Sequence, residues 1–232
     1  MSEEIDALLF DAGGTLFDLR PSKEEVFYKL LTKRGFAVDY DRVLALSVKA
    51  DRMFDTETAN LDGVNDDAFW IKYDNYVLDS LGFTGDRDAF SRDLSTEFQK
   101  IIPNVSSWVE YPDAKPLLDD LVDREFRLGI ISNATDLVRK VLDNLRFTKY
   151  FETIVVSAEV GVRKPDPRIF QIGVDSLKVM PNRAIYIGDR FAIDVQGASK
   201  AGLNAILLDR YGTYANANCL RVKSLSSLRR YL

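Results

Sequence analysis

The sequence predicts an α/β fold: a doubly wound, parallel-sheet core of Rossmann-like type, with an α-helical cap inserted after the first strand. Short β-rich apolar runs recur at Ala7 to Phe10, Leu128 to Ile131, Thr153 to Val156, Ala184 to Ile187 and Asn204 to Leu207. Helical periodicity at Leu137 to Leu145, Ile169 to Leu177 and Asp194 to Ala201 separates the later runs, and strands alternating with helices imply parallel pairing with both faces covered. The alternation breaks between about Pro21 and about Trp108, roughly eighty residues without a clear strand and too many for a simple crossover.

That interval reads as amphipathic helices at Lys23 to Arg34, Asp41 to Phe54, Asp66 to Leu81 and Arg87 to Ile102. Phe69, Trp70 and Tyr73 fall at helical spacing and are expected in the cap core rather than on a ligand shelf. The turn-like stretch Tyr111 to Pro116 returns the chain to the core through a helix from Asp113. The expected domains are a core of residues 1–18 and 109–232 and a cap of residues 19–108. A terminal helix is expected over the last residues, with Ser224 near its N-cap.

The 232 residues are 46% hydrophobic, enough for a sizeable core. A net charge of -5, from 31 basic and 36 acidic residues, argues against a nucleic-acid partner. The local basic cluster Arg221, Lys223, Arg229 and Arg230 reads as a solvated helix face. One cysteine, Cys219, excludes an internal disulfide and reads as a buried or idle thiol. No apolar run reaches the ~18 residues of a membrane helix, and the leading MSEEID is acidic where a signal peptide is basic, so a cytoplasmic location is expected. The absence of histidine excludes imidazole as base, nucleophile or metal ligand, leaving carboxylates, lysines, hydroxyls and metal ions to carry any chemistry.

In an open parallel sheet, ligands bind beyond the carboxyl ends of the strands. The first strand ends on Asp11, the second on Ser132 and Asn133, and the fourth on Gly188 and Asp189, with Asp194 five residues later; Lys164 follows the third. Each alone has a bland explanation as a cap, a turn residue or a surface lysine, with Ser132 and Asn133 capping a helix near Thr135. Together, at corresponding places on one sheet edge, they point to a site. Two carboxylates at ~4 Å and an effective dielectric of ~20 repel by on the order of 4 kcal/mol, so a divalent cation or a lysine must offset Asp11 against Asp189. Hard oxygen ligands without histidine favour Mg2+, and Ser132, nearby backbone N–H groups and Lys164 then offer donors to a phosphoryl group.

The stretches LLFDAGGTLFD, GIISNATD, VRKPDPRIF and YIGDRFAIDVQGASKAG resemble, in order, the four motifs of the haloacid dehalogenase-like hydrolase superfamily. The resemblance covers essentially the whole chain, including a cap of type C1. It is similar to the subgroup that includes the rhythmically-expressed-gene-2-like proteins. It implies that Asp11 is a nucleophile forming an aspartyl intermediate and a ligand of Mg2+, with Thr15 supporting the loop. It implies that the Gly13 carbonyl and Asp189 also bind the metal, with Asp194 in the metal group as the partner of its waters. Ser132 and Asn133 would bind phosphate, and Lys164 would neutralise charge on the nucleophile and the transferring group. The substrate implied is a small phosphorylated molecule, and a monomer is expected, with a dimer through exposed cap aromatics as the alternative.

The chain departs from the phosphatase pattern at Gly13, where family members carry a second aspartate as general acid and base. Three readings follow. The chain is a slow phosphohydrolase, in which Asp18 either replaces the missing acid or, as preferred, serves as a hinge or helix-start residue. Alternatively it belongs to the carbon–halogen or carbon–phosphorus branches, the latter needing a Schiff-base lysine from the cap, for which the sequence nominates none of Lys23, Lys29, Lys33 and Lys72. The third reading is a non-enzymatic binding or regulatory module.

Overall fold

The computed structural model describes residues 4–59 and 67–232. The strands are β1 (Ala7–Phe10), β2 (Phe17–Leu19), β3 (Trp108–Glu110), β4 (Arg127–Ser132), β5 (Thr153–Val156), β6 (Ala184–Gly188), β7 (Asn204–Leu208) and β8 (Leu220–Val222). The α-helices are α1 (Lys23–Lys33), α2 (Tyr40–Met53), α3 (Asp55–Ala59), α4 (Asp67–Leu81), α5 (Arg87–Ile101), α6 (Ala114–Asp123), α7 (Leu137–Asn144), α8 (Ser157–Val160), α9 (Pro167–Ser176) and α10 (Gln196–Lys200). The expected start of the third helical segment at Asp66, and the first three residues of the acidic leader, lie outside the described residues. No helix among the described residues is long and apolar enough to cross a membrane.

Packing divides the chain into two compact units, one running up to Asp18 and resuming at Trp108, the other Leu19–Ser107. In the first, six strands form one sheet in the order β5-β4-β1-β6-β7-β8, with every described pairing parallel. β1 is buried along its whole length, which is why ALLF is apolar at consecutive positions instead of alternating. The chain adds β4 and β5 on one side of β1 and β6, β7 and β8 on the other, so the order reverses at β1, the place where such sheets open a crevice. Phe10 lies opposite both Ile130 and Ile187, so the residues that follow β1, β4 and β6 emerge together at one edge.

Three short strands are absent from the sequence reading. β2 and β3 pair as a separate two-stranded sheet, and β8 extends the main sheet. Each has three residues, too few for an alternating pattern to be distinguished from a loop. The C-terminal helix is a 3-10 helix, Leu225–Arg230, and Ser224 does not cap it through its side chain but pairs with the Ser227 hydroxyl at 2.9 Å. The basic cluster is not one helix face: Arg221 lies on β8 beside Asp209 at 3.3 Å, and Arg229 lies 3.5 Å from Asp120. Cys219 is half-buried and unbridged.

In the second unit, Ser22 and Glu25 form a reciprocal capping box that starts α1. α1 buries Val26, Phe27, Leu30 and Leu31, one face at helical spacing, and Phe27 meets Phe90 of α5 at a ring separation of 4.7 Å. Phe69 and Tyr73 join this core, whereas Trp70 is 36% exposed. The correction is geometric, because the next residue on a helix turns by about 100° and leaves the buried face.

Asp74 of α4 is 6% exposed within this unit. Burial pushes its carboxyl up to about 7, against the opposing pulls of the Ser91 hydroxyl and the Lys23 charge, while the ordinary value is 3.8. Between those values the folded chain holds a proton that the unfolded chain releases, so this contribution is complete below about 4 and falls as pH rises towards 7. Denaturant unfolding of the wild-type protein should show that decline, and Asp74→Asn should flatten it over the same window.

Candidate active site

β1 does not stop at Phe10 so much as turn there. Asp11 N donates to the Ile187 carbonyl at 2.8 Å, prolonging contact with β6, and the Ala12 carbonyl then accepts from Leu16 N at 2.8 Å and folds the chain back. Gly14 N donates to the Phe17 carbonyl at 2.9 Å, closing the loop on β2. Gly14 has φ +81°, and a Cβ there would lie 2.7 Å from Asp189 Oδ2, so both backbone conformation and close approach require glycine. Thr15 is fully buried and donates to Asp189 Oδ1 at 3.4 Å.

The back of this loop is held by Arg210, which follows β7. Its guanidinium donates to the Thr15 carbonyl at 3.1 Å and to both Asp113 oxygens at 3.0 Å, and it lies 3.9 Å from the Tyr111 ring centroid. The Tyr111 hydroxyl donates to Asp18 Oδ2 at 2.8 Å. Asp18 therefore sits on β2, not at a helix start, and its carboxylate is engaged by the chain that returns through β3.

At the front of the loop, Lys164 is 2% exposed and directs its three N–H bonds to Asp11 Oδ1 at 2.6 Å, Asp194 Oδ1 at 2.7 Å and the Tyr186 hydroxyl at 2.8 Å. The Tyr186 hydroxyl in turn donates to the Ile131 carbonyl at 2.9 Å. Asn133 grips the backbone of Lys164: its Oδ1 accepts from Lys164 N and its Nδ2 donates to the Lys164 carbonyl, both at 2.8 Å. The Asn133 side chain is thus turned to the lysine segment rather than towards a phosphate. Neither Ser132 nor Asn133 provides a side-chain cap for α7, whose first amide instead meets the Thr135 hydroxyl at 3.4 Å.

Asp194 is fully buried on a single π-helical turn, Phe191–Val195, where the sequence reading expects the start of an α-helix. The wider turn lets Asp194 Oδ2 accept from Arg190 N at 2.9 Å while Oδ1 faces Lys164. β6 ends in Gly188 because a Cβ there would lie 2.4 Å from the Asp194 carboxyl carbon.

Asp11, Asp189 and Asp194 bring carboxylate oxygens within 4.8 Å of one another, facing a single ammonium group. Burial raises the Asp11 carboxyl, Lys164 opposes that rise and Asp194 adds to it. Burial, then Asp11 and Asp194, push Asp189 well above the usual carboxylate range. Burial alone would lower Lys164, but the two aspartates outweigh it and keep the ammonium protonated. Three carboxylates against Lys164 and the Arg190 charge beside Asp189 leave uncompensated negative charge, and an all-oxygen donor set of this kind suits a hard divalent cation.

The fold thus brings Asp11, Asp189, Asp194 and Lys164 into one cluster, with Gly13 in the intervening loop and the buried Ser132 at the end of β4, the strand beside β1. Sequence reasoning missed Tyr186 and Arg210. A hydroxyl within the apolar run AIYIG was the signal for the first. For the second it was the end of β7, which the strand-end reasoning left out.

An aspartate at the end of the first strand of a parallel sheet, with a buried lysine and two further carboxylates beside it, is an arrangement of the Rossmann-like hydrolase class. The chain belongs to the haloacid dehalogenase-like hydrolase family, whose sequence model matches residues 5–202. A glyceraldehyde 3-phosphate phosphatase of Methanopyrus kandleri is 36% identical over 101 residues, covering 43% of this chain and 43% of that protein, less than half the length of either. A haloacid dehalogenase-like hydrolase domain-containing protein 3 of Xenopus laevis is 23% identical over 87% of this chain and 83% of that protein. Among solved structures, a haloacid dehalogenase-family phosphatase of Thermococcus onnurineus shares the fold at a TM-score of 0.61, with 23% identity over 98% of this chain and 97% of that one.

Tyr186→Phe keeps the ring, which packs edge-on against Phe170 at 5.0 Å, and removes only the hydroxyl. It leaves one buried Lys164 donor and the Ile131 carbonyl short of a partner, so a loss of about 1–3 kcal/mol is expected, read as a lower unfolding midpoint with unchanged circular dichroism.

Proposed function

We propose that the protein is a Mg2+-dependent phosphohydrolase that acts on a small phosphorylated molecule through an aspartyl-phosphate on Asp11, and that it turns over slowly because Gly13 replaces the acid/base aspartate. The observation that carries this reading is the group Asp11, Asp189 and Asp194, with Lys164 paired to Asp11 and Asp194. The similarity to the glyceraldehyde 3-phosphate phosphatase of Methanopyrus kandleri supports a phosphorylated substrate.

Lys164 holds Asp11 through Oδ1, which leaves Oδ2 as the attacking atom. Ser132, at the end of β4, supplies a hydroxyl for the phosphoryl oxygens, and Lys164 offsets the charge that builds on them. Asp11, the Gly13 carbonyl and Asp189 would hold the metal ion, with Asp194 orienting its waters. When bound, Mg2+ offsets the remaining carboxylate and phosphoryl charge. Thr15 and Arg210 keep the loop in register with Asp189. Gly13 offers no side chain to protonate a leaving group or to deprotonate water.

Turnover of an aryl phosphate should require Mg2+ and disappear in Asp11→Asn. Gly13→Asp should raise kcat by about 10²- to 10⁴-fold, the usual worth of general acid–base catalysis. No activity on a broad phosphate panel in either the wild type or Gly13→Asp would sink the reading, and chloride release from a 2-haloacid would redirect it to carbon–halogen cleavage. Mg2+ should also raise the unfolding midpoint, and Asp189→Asn should remove that shift.

A further inference from the structure

We propose that Asp113 and Arg210 are positioning residues through which the C-terminal 3-10 helix, Leu225–Arg230, sets the loop after β1, so that turnover depends on a segment that supplies none of the reacting groups. This rests on the phosphohydrolase reading and adds to it a point of control outside the carboxylate cluster.

The first support is a helix cap that is given up. Asp113 occupies the N-cap of α6, where an aspartate side chain ordinarily accepts from the first amides of its own helix, and it makes no such bond. Its Oδ1 accepts from Arg210 Nη2 and its Oδ2 from Arg210 Nη1, both at 3.0 Å, and Oδ2 also accepts from Leu225 N at 2.8 Å. Burial alone would raise the Asp113 carboxyl, but Arg210 and the Leu225 amide outweigh it and hold the group below the usual carboxylate value. The carboxylate therefore stays ionised at neutral pH and joins the C-terminal helix to the guanidinium.

The second support is the orientation of Arg210. Its Nη2 lies between Asp113 Oδ1 and the Thr15 carbonyl, at 3.0 and 3.1 Å, while its Nε is buried with no partner among the described residues. A buried donor without a partner is unfavourable, so the two Nη groups hold the side chain in an orientation that its Nε opposes.

Thr15 carries the constraint to the site. It is fully buried, and its hydroxyl reaches Asp189 Oδ1 at 3.4 Å, the long end of the range for such a bond. A bond of that length does little to fix Thr15 by itself, which leaves the carbonyl contact with Arg210 to do so. Thr15 N and Leu16 N both donate to the Ala12 carbonyl, at 3.3 and 2.8 Å, so the same residue closes the turn beside Asp11. The path from Leu225 through Asp113, Arg210 and Thr15 to Asp189 includes neither Ser132 nor Lys164, the groups assigned to the phosphoryl oxygens. Its loss should therefore lower kcat and leave KM in place. The helix also has an anchorage of its own, with Leu225 and Leu228 fully buried and Arg229 donating to the Pro116 carbonyl at 2.8 Å, so it can be loosened without altering Asp113.

The experiment measures kcat and KM of the full chain with Mg2+ and an aryl phosphate, well below the unfolding midpoint. Hydrogen–deuterium exchange is followed in parallel over residues 11–18 and over the C-terminal helix. Arg210→Lys keeps the charge without the planar fork, and Leu228→Ala loosens the helix. Arg210→Lys should lower kcat by about 10- to 10²-fold, the scale of a small misplacement of reacting groups, and speed exchange in the loop. Leu228→Ala should move both readouts in the same direction, and KM should stay within about twofold in both variants. Arg139 likewise binds both oxygens of a carboxylate, Glu159, and a carbonyl, Ile154, so Arg139→Lys is the matched control and should leave both readouts at the wild-type level. Unchanged kcat and loop exchange in Arg210→Lys, or faster exchange in the helix but not the loop of Leu228→Ala, overturns the proposal and leaves the phosphohydrolase reading standing. A rise in KM at constant kcat overturns it as well. A wild-type chain that turns over no phosphate overturns both.

Discussion

The ammonium group of Lys164 sits between Asp11 and Asp194 in a setting almost closed to water, and the arrangement of the carboxyl edge follows from it. Burying an ion is expensive, and removing one member of a buried pair typically costs about 3–5 kcal/mol because its partner is left uncompensated. The site therefore tolerates little freedom: each lysine proton has a fixed acceptor, and Asn133 fixes the lysine backbone as well. The same constraint explains the π turn and Gly188, since both are needed to bring Asp194 close to the end of β6.

A second polar lattice supports the loop from behind. Arg210 joins the Thr15 carbonyl to Asp113, and Asp113 also accepts from Leu225 N at 2.8 Å, so the loop after β1, the return from β3 and the C-terminal 3-10 helix share one guanidinium. These contacts connect residues 97 to 195 positions apart in the chain, from Asp113 to Arg210 and from Thr15 to Arg210. Rigid placement of Asp11 thus depends on parts of the chain that carry no chemistry themselves.

Gly13 gives the site its particular character. The charge arrangement around Asp11 suits attack on phosphorus, while the position that would manage protons is bare and sterically permissive. On the proposed reading, nucleophilic and proton-transfer functions are separable here, because different residues would supply them and Gly13 has no side chain to contribute to the second.

Much of this was legible in the sequence. Long apolar runs such as ALLF and the alternation after Leu128 specify the parallel core, because a strand buried on both faces has no polar positions to spare. Asp11, Asp189, Asp194 and Lys164 were legible because charged residues at strand ends have few structural uses in common, and membership of the family follows from the same ordered motifs. The three-residue strands were not, since periodicity needs more than three positions to register. Nor was the exposure of Trp70, or the turn of Asn133 towards Lys164, because side-chain direction depends on what packs alongside. By itself the sequence determined the fold class, the carboxylates and the absence of histidine. Only the tertiary structure decided that Tyr186 completes the lysine's contacts, that Arg210 braces the loop, and that a Cβ at Gly13 would meet only Trp108, because each depends on distances between residues far apart in the chain.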